Sequence, residues 1–131
     1  MIAKLLSTVV DCPDPVGLGG FYAAILGGEL DVSDPEWVEL RTPSGQHFSF
    51  QAVEDYRPPR WPDPGHPQQV HLDFEVDGME DVERAQAEVL ALGATLLHDS
   101  GGKRRGFRVF SDPAGHPFCL CYGQGYPKGT G

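Results

Sequence analysis

The residues best suited to chemistry in this chain stand two apart on what reads as extended backbone. His71, Asp73 and Glu75 alternate with Leu72, Phe74 and Val76, so a strand over 71–77 places polar groups on one face and apolar groups on the other. An imidazole and a carboxylate on one face can work as a pair, with His71 moving a proton or anchoring a ligand and Asp73 orienting the ring. The alternative for the same two residues is a polar strand start, hydrogen-bonded or solvated, with no chemistry attached. Cys119 and Cys121 repeat the two-residue spacing. They are reactive thiols if a cation stands beside them and small buried hydrophobes otherwise.

Trp37, Trp61 and Phe107 are large enough to wall a pocket for a flat ligand, or to pack in core and loops. Lys103-Arg104-Arg105 with Arg108 stand out in an acidic chain, either as a patch that steers an anionic substrate or as a solvated hairpin tip. There is no glycine-rich phosphate loop, nucleophile elbow or Cys-x-x-Cys zinc motif.

Composition bounds the rest. A chain of 131 residues suits one domain with a shared core, and halves of that size would each be small to stand alone. A formal charge of −9 with ten basic residues argues against nucleic acid and against an anionic membrane surface. No apolar run reaches the length of a spanning helix, and the N-terminus lacks a signal-type apolar region. Three cysteines is an odd number, and two of them two apart on a strand bridge awkwardly. Free, largely buried thiols in the cytoplasm are therefore expected.

The elements that must position these groups read in order. Residues 4–12 form a first strand, stopped by Pro13. Asp14 then caps a helix with Pro15 at its first position, and Leu18, Phe21, Tyr22, Ile25 and Leu26 make one apolar stripe ended by Gly27-Gly28. Residues 37–41 and 47–53 form a hairpin around Thr42-Pro43-Ser44-Gly45. Five prolines between 54 and 69 forbid a helix and make that stretch a linker, with Trp61 inside it. After the strand at 71–77, Asp77 and Glu80 have the spacing of a capping box, Val82, Ala85, Val89 and Leu90 form a second helical stripe, and Gly93 stops it. A flexible basic loop at 101–106, strands at 107–110 and 118–122, and a loose glycine-rich tail at 123–131 complete the chain.

This order is one unit written twice. Ser7-Thr8-Val9-Val10-Asp11 lies 64 positions before His71-Leu72-Asp73-Phe74-Glu75, and Leu26-Gly27-Gly28-Glu29-Leu30 matches Leu92-Gly93-Ala94-Thr95-Leu96. Pro43-Ser44-Gly45-Gln46-His47-Phe48-Ser49-Phe50 matches Pro113-Ala114-Gly115-His116-Pro117-Phe118-Cys119-Leu120 at a spacing of 70.

On Phe21-Tyr22 with Leu26-Gly27, His71-Leu72-Asp73-Phe74, and Asp112-Pro113-Ala114-Gly115 with Phe118-Cys119-Leu120, the chain resembles the vicinal oxygen chelate superfamily. That superfamily includes glyoxalase I, bleomycin-resistance proteins and extradiol dioxygenases, and the ending looks most like its small glyoxalase-like members. The resemblance implies an α+β fold of two tandem βαβββ modules, about 4–53 and 70–122, that form a cup-shaped mixed sheet with helices outside. Three strands per half are visible, so the fourth is expected at the edges of the linker and the basic loop. The resemblance also implies a homodimer.

The family holds a divalent metal on up to four side chains. The resemblance carries those positions onto Ser7, His71, Ser49 and Cys119, of which only His71 is a good ligand for a hard cation. The expectation is therefore no resident metal or other cofactor. His47 and Asp73 are the residues that could overturn it, through a site displaced toward the cup rim. Two functions follow. One is a metal-independent lyase- or isomerase-type enzyme acting on a small polar molecule, with His71 as base, Asp73 as orienter, and Ser7, Ser49 and Gln51 as hydrogen-bond donors. The other is a module that sequesters a drug-like molecule or metabolite between its aromatic walls. Trp37, Trp61, Phe107 and Cys119 complete the expected ligand-binding set.

Overall fold

The computed structural model describes residues 1–124, the Met79 side chain excepted; the expected loose tail from 125 onward lies outside them. Two compact units divide the chain, Met1–Arg57 and the residues from Pro58 on.

The first unit runs β1 (Thr8–Cys12), α1 (Pro15–Leu26), β2 (Glu29–Asp31), β3 (Trp37–Arg41) and β4 (His47–Ala52). The second runs β5 (Leu72–Val76), α2 (Met79–Ala91), β6 (Thr95–Asp99), β7 (Gly106–Ser111) and β8 (Pro117–Tyr122). Each is a βαβββ module with one four-stranded mixed sheet, in the orders β1-β4-β3-β2 and β5-β8-β7-β6.

The repeat holds at the level of register. Thr8 pairs with Phe48 in the parallel ladder of the first unit, and Leu72 pairs with Phe118 in the second. Leu40 faces Phe48 as Phe110 faces Phe118. Even the hairpin turns match: Thr42 N donates to Gln46 O and Gly45 N to Thr42 O, as Asp112 N does to His116 O and Gly115 N to Asp112 O. Gly45 and Gly115 sit at φ +92° and +90°, a left-handed corner that a side chain would strain.

Alternation then sorts the side chains. Phe48 and Phe50 point from β4 toward α1, where Phe50 stacks on Tyr22 at 5.8 Å between centroids, leaving Ser49 and Gln51 on the opposite face. In the second unit Phe118 stacks on Phe110 at 5.4 Å and lies 5.8 Å from Phe74. Cys119 and Cys121 accordingly take the face away from α2.

Several sequence expectations need correction. The first strand begins at Thr8 rather than residue 4, and Leu5 and Leu6 are exposed. The Asp14 cap is present, its Oδ1 accepting from Gly17 N at 3.1 Å. The second cap is not at Asp77: Gly78 is the N-cap, in extended conformation and without a side-chain cap bond, and its carbonyl accepts from Asp81 N and Val82 N. Glu80 and Asp81 therefore fall in the first turn, where the helix dipole favours acids. The fourth strands are β2 and β6, each directly after its helix; β6 adjoins the basic loop, but β2 is far from the linker. A three-residue strand with Leu30 between two acids carries too little alternation to be read.

Arg108 does not belong to a steering patch. It occupies the register position that Val38 holds in the first unit, on the same face as Phe110, and it is buried. Its guanidinium donates to Glu83 at 2.6 Å and Gln86 at 2.8 Å from α2 and lies 3.4 Å from Asp99 on β6. That bond holds the Glu83 carboxyl below its usual range. The second module thus ties helix to sheet with a charge where the first uses a methyl contact.

Candidate functional site

Period-two alternation on β5, β8 and β7 builds a floor. Across the parallel and antiparallel ladders Asp73 pairs with Cys119 and Cys119 with Val109, while Glu75 pairs with Cys121 and Cys121 with Phe107. Paired residues on one face have neighbouring side chains, so the floor grades from carboxylates on β5, through two thiols on β8, to Val109 and Phe107 on β7. A cavity of about 450 Å³ stands over it, lined also by Trp61, Gln68, His71, Phe74, Pro117 and Gln124. This is within the ordinary range for a small-molecule site.

Trp61 closes the apolar side. It is half-buried and packs on the cluster of Val109, Cys119 and Cys121. The His98 ring stands between it and Phe107, 6.0 Å from each centroid. The proline-rich stretch is thus more than a tether, because turn bonds such as Arg60 N to His66 O and His66 N to Asp63 O fold it into an ordered wall carrying Trp61.

His71 and Asp73 face the cavity from the other side. His71 Nε2 lies 3.2 Å from Asp73 Oδ1, and both side chains keep about half their surface open to solvent. The thiols beneath are protonated. Burial first, and the Asp73 charge second, push Cys119 from the ordinary 9.0 up to about 12 and Cys121 up to about 11. Neither is therefore a nucleophile near neutral pH, and all three cysteines are buried and outside any disulfide.

A sign follows for pH. The unfolded chain releases these protons near pH 9 while the folded one holds them to about 11 or 12, so the thiol contribution to stability is complete below 9 and is lost as pH rises toward 12. Denaturation midpoints measured between pH 8 and 11 are expected to fall, and Cys119→Ser with Cys121→Ser should flatten that fall. A thiol reagent at pH 8 should label neither residue until the chain unfolds.

Of the residues singled out in the sequence, His71, Asp73, Trp61, Phe107 and Cys119 line this cavity. Ser7, Trp37, Ser49 and Gln51 belong to the first unit. There the Ser7 and Ser49 hydroxyls share a hydrogen bond of 2.7 Å, Trp37 Nε1 donates to Glu39 Oε1 at 3.1 Å, and Gln51 pairs with Trp37 across β3 and β4. The sequence reading missed Glu75, Val109 and Cys121 as lining residues, although alternation from His71, Phe107 and Cys119 reaches them. Gln68 and Gln124 lie in loops and carry no such signal.

The donor chemistry bears on a metal. Two serine hydroxyls bonded to each other, one imidazole and one protonated thiol do not make the oxygen and nitrogen shell that a hard cation needs. A different set is present within the second unit: His71, Asp73 and Cys119 offer ligand atoms within 4.8 Å of one another, a mixed nitrogen, oxygen and sulfur triad suited to a borderline cation such as zinc.

Two tandem βαβββ modules define the class of the glyoxalase and bleomycin-resistance folds. The glyoxalase-like domain family matches residues 7–121, and the chain belongs to it and so to the vicinal oxygen chelate superfamily. Among solved structures the chain is similar to a glyoxalase-related enzyme from Fulvimarina pelagi, at 17% identity and TM-score 0.73 over 98% of this chain and 94% of that one. It is similar to a glyoxalase/bleomycin resistance protein/dioxygenase family enzyme from Burkholderia phytofirmans PsJN, at 20% identity and TM-score 0.70 over 92% and 98%. A lactoylglutathione lyase from Agrobacterium tumefaciens aligns at 18% identity and TM-score 0.65 over 95% and 97%. At such identities the likeness establishes the fold. No curated protein sequence matches the chain.

Proposed function

We propose that the chain binds a small organic molecule in the cavity of its second module and that His71, oriented by Asp73, moves a proton to or from it without a metal. The observation that carries this reading is the imidazole and carboxylate 3.2 Å apart at the wall of a cavity whose other lining is aromatic, aliphatic and thiol groups with Glu75, Gln68 and Gln124. In the simplest step His71 takes a proton from a carbon beside a carbonyl, the C–H electron pair becomes the carbon–carbon double bond of an enolate, the carbonyl π pair moves to its oxygen, and the Asp73 carboxylate offers a counter-charge to the imidazolium. Return of the proton to the same or a neighbouring carbon gives exchange or isomerase-type chemistry, and collapse of the enolate with departure of a leaving group from the β carbon gives lyase-type chemistry.

The test uses aryl-alkyl ketones headed by 4-phenyl-2-butanone in deuterium oxide. Exchange of the protons beside the carbonyl, above the buffer rate and dependent on His71, is the expected result. Ketones that bind without exchange would sink the catalytic reading and leave sequestration, which the inert thiols and apolar walls favour. A metal-dependent reading would displace both if metal-stripped protein regained stoichiometric zinc and only then catalysed exchange.

We also propose that the protein is a cytoplasmic homodimer. Three buried cysteines outside any disulfide suit a reducing compartment, and each four-stranded sheet has edge strands that invite pairing. Among the described residues no helix is long and apolar enough to cross a membrane. Light scattering at micromolar protein should give twice the 14.3 kDa chain mass; a monomer would refute the dimer.

A further inference from the structure

The charge of the ligand can be read from the distribution of groups over the floor. Asp73 and Glu75 lie side by side along one edge of the cavity, Val109, Phe107 and Trp61 along the other, and among the described residues no lysine or arginine lines it. Arg105 reaches Gln124 at the wall from the exposed loop, donating to its Oε1 at 3.0 Å, while Arg108 is buried on the opposite face of β7. Among the described lining residues the other titratable groups are His71 and the two thiols, and His98 stands beside Trp61 and Phe107.

From this polarity we infer that the ligand is a small organic cation, a protonated amine carried on a flat apolar body, with its ammonium toward Asp73 and Glu75 and its body between Phe107 and Trp61. The inference rests on the proposal that this cavity is the binding site. An anionic ligand meets two carboxylates and, among the described residues, no lysine or arginine at the lining, whereas an ammonium gains both carboxylates and the faces of the aromatic rings. A cavity of about 450 Å³ holds one aromatic ring system with a short side chain. The thiols report the same negative field: the Asp73 charge acts on both, and Glu75 adds to it at Cys121.

The test compares three probes that share a phenylalkyl body and differ in charge: 3-phenylpropylamine, 3-phenylpropan-1-ol and 4-phenylbutanoate. Each is titrated at pH 8 in about 0.15 M salt, which screens the general acidity of the surface, while the amide signals of Phe107, Cys119 and Cys121 are followed by NMR. The amine should bind at least about tenfold more tightly than the carboxylate, with the alcohol between them, and Asp73→Asn combined with Glu75→Gln should bring the three within about threefold. Alcohol or carboxylate binding as tightly as the amine would overturn the charge assignment and leave the cavity as the site. A preference for the amine that survives the double variant, or shifts confined to other amides, would remove Asp73 and Glu75 as its cause. If no probe moves these signals up to its solubility limit, the cavity reading falls and the inference with it.

Discussion

Replacing His71 with glutamine should lower ketone deuterium exchange by about 10²- to 10⁴-fold, the usual share of a positioned general base, while leaving ketone affinity within about threefold. The two readouts separate because the imidazole would meet the reacting proton, whereas ketone affinity comes from the apolar wall of Val109, Phe107 and Trp61. The thiols hold their protons to about 12 at Cys119 and about 11 at Cys121 and so offer no competing base near neutral pH. His71 is also exposed and just precedes β5, so glutamine there should keep stability within about 0.5 kcal/mol. Asp73→Asn should slow exchange less than His71→Gln, because the ring stays but loses the carboxylate 3.2 Å from Nε2. Equal exchange in wild type and His71→Gln, with binding intact in both, would refute the assignment of the base.

Gly28→Ala should be among the most disruptive single substitutions in the first module, costing about 3 kcal/mol or more. The residue sits at φ +104°, where an L side chain is strained, and a Cβ there would overlap the Arg41 carbonyl oxygen and crowd Thr42 backbone atoms. Neither neighbour can yield easily, because Glu29 is in register with Arg41 at the end of the β2–β3 ladder. Gly45→Ala is the matched control. Its φ is +92° but nothing lies within 4 Å of the added methyl, so it should cost only about 1 kcal/mol. Urea denaturation of the two variants measures the difference; similar midpoints would mean that the β2 edge gives way without cost. The second module solves the same turn otherwise, with Gly93 at φ +112° followed by the buried Ala94.

Much of this architecture was legible because its causes are local or repeated. Alternation of apolar residues assigned faces to the strands around His71 and Cys119, proline and glycine placed the turns, and the matched blocks at spacings of 64 and 70 announced two copies of one unit. Register identity between the modules follows from those spacings once both sets of strands pair. Gly78 and β2 escaped because a cap depends on where the first backbone bond closes, and because a three-residue edge strand exists only through its partner.

The site divides along the same physical line. Sequence alternation by itself determined that His71, Asp73 and Glu75 share a face, and that Cys119 and Cys121 share one, since that is a property of a single extended chain. Only tertiary structure decided that the acids stand opposite the thiols, that Trp61 folds from a proline-rich stretch onto Val109, Cys119 and Cys121, and that Arg108 turns toward α2 to meet Glu83. Those outcomes depend on pairing register and burial between segments distant in the chain, where the same arginine or tryptophan is equally compatible with solvent until its partners are in place.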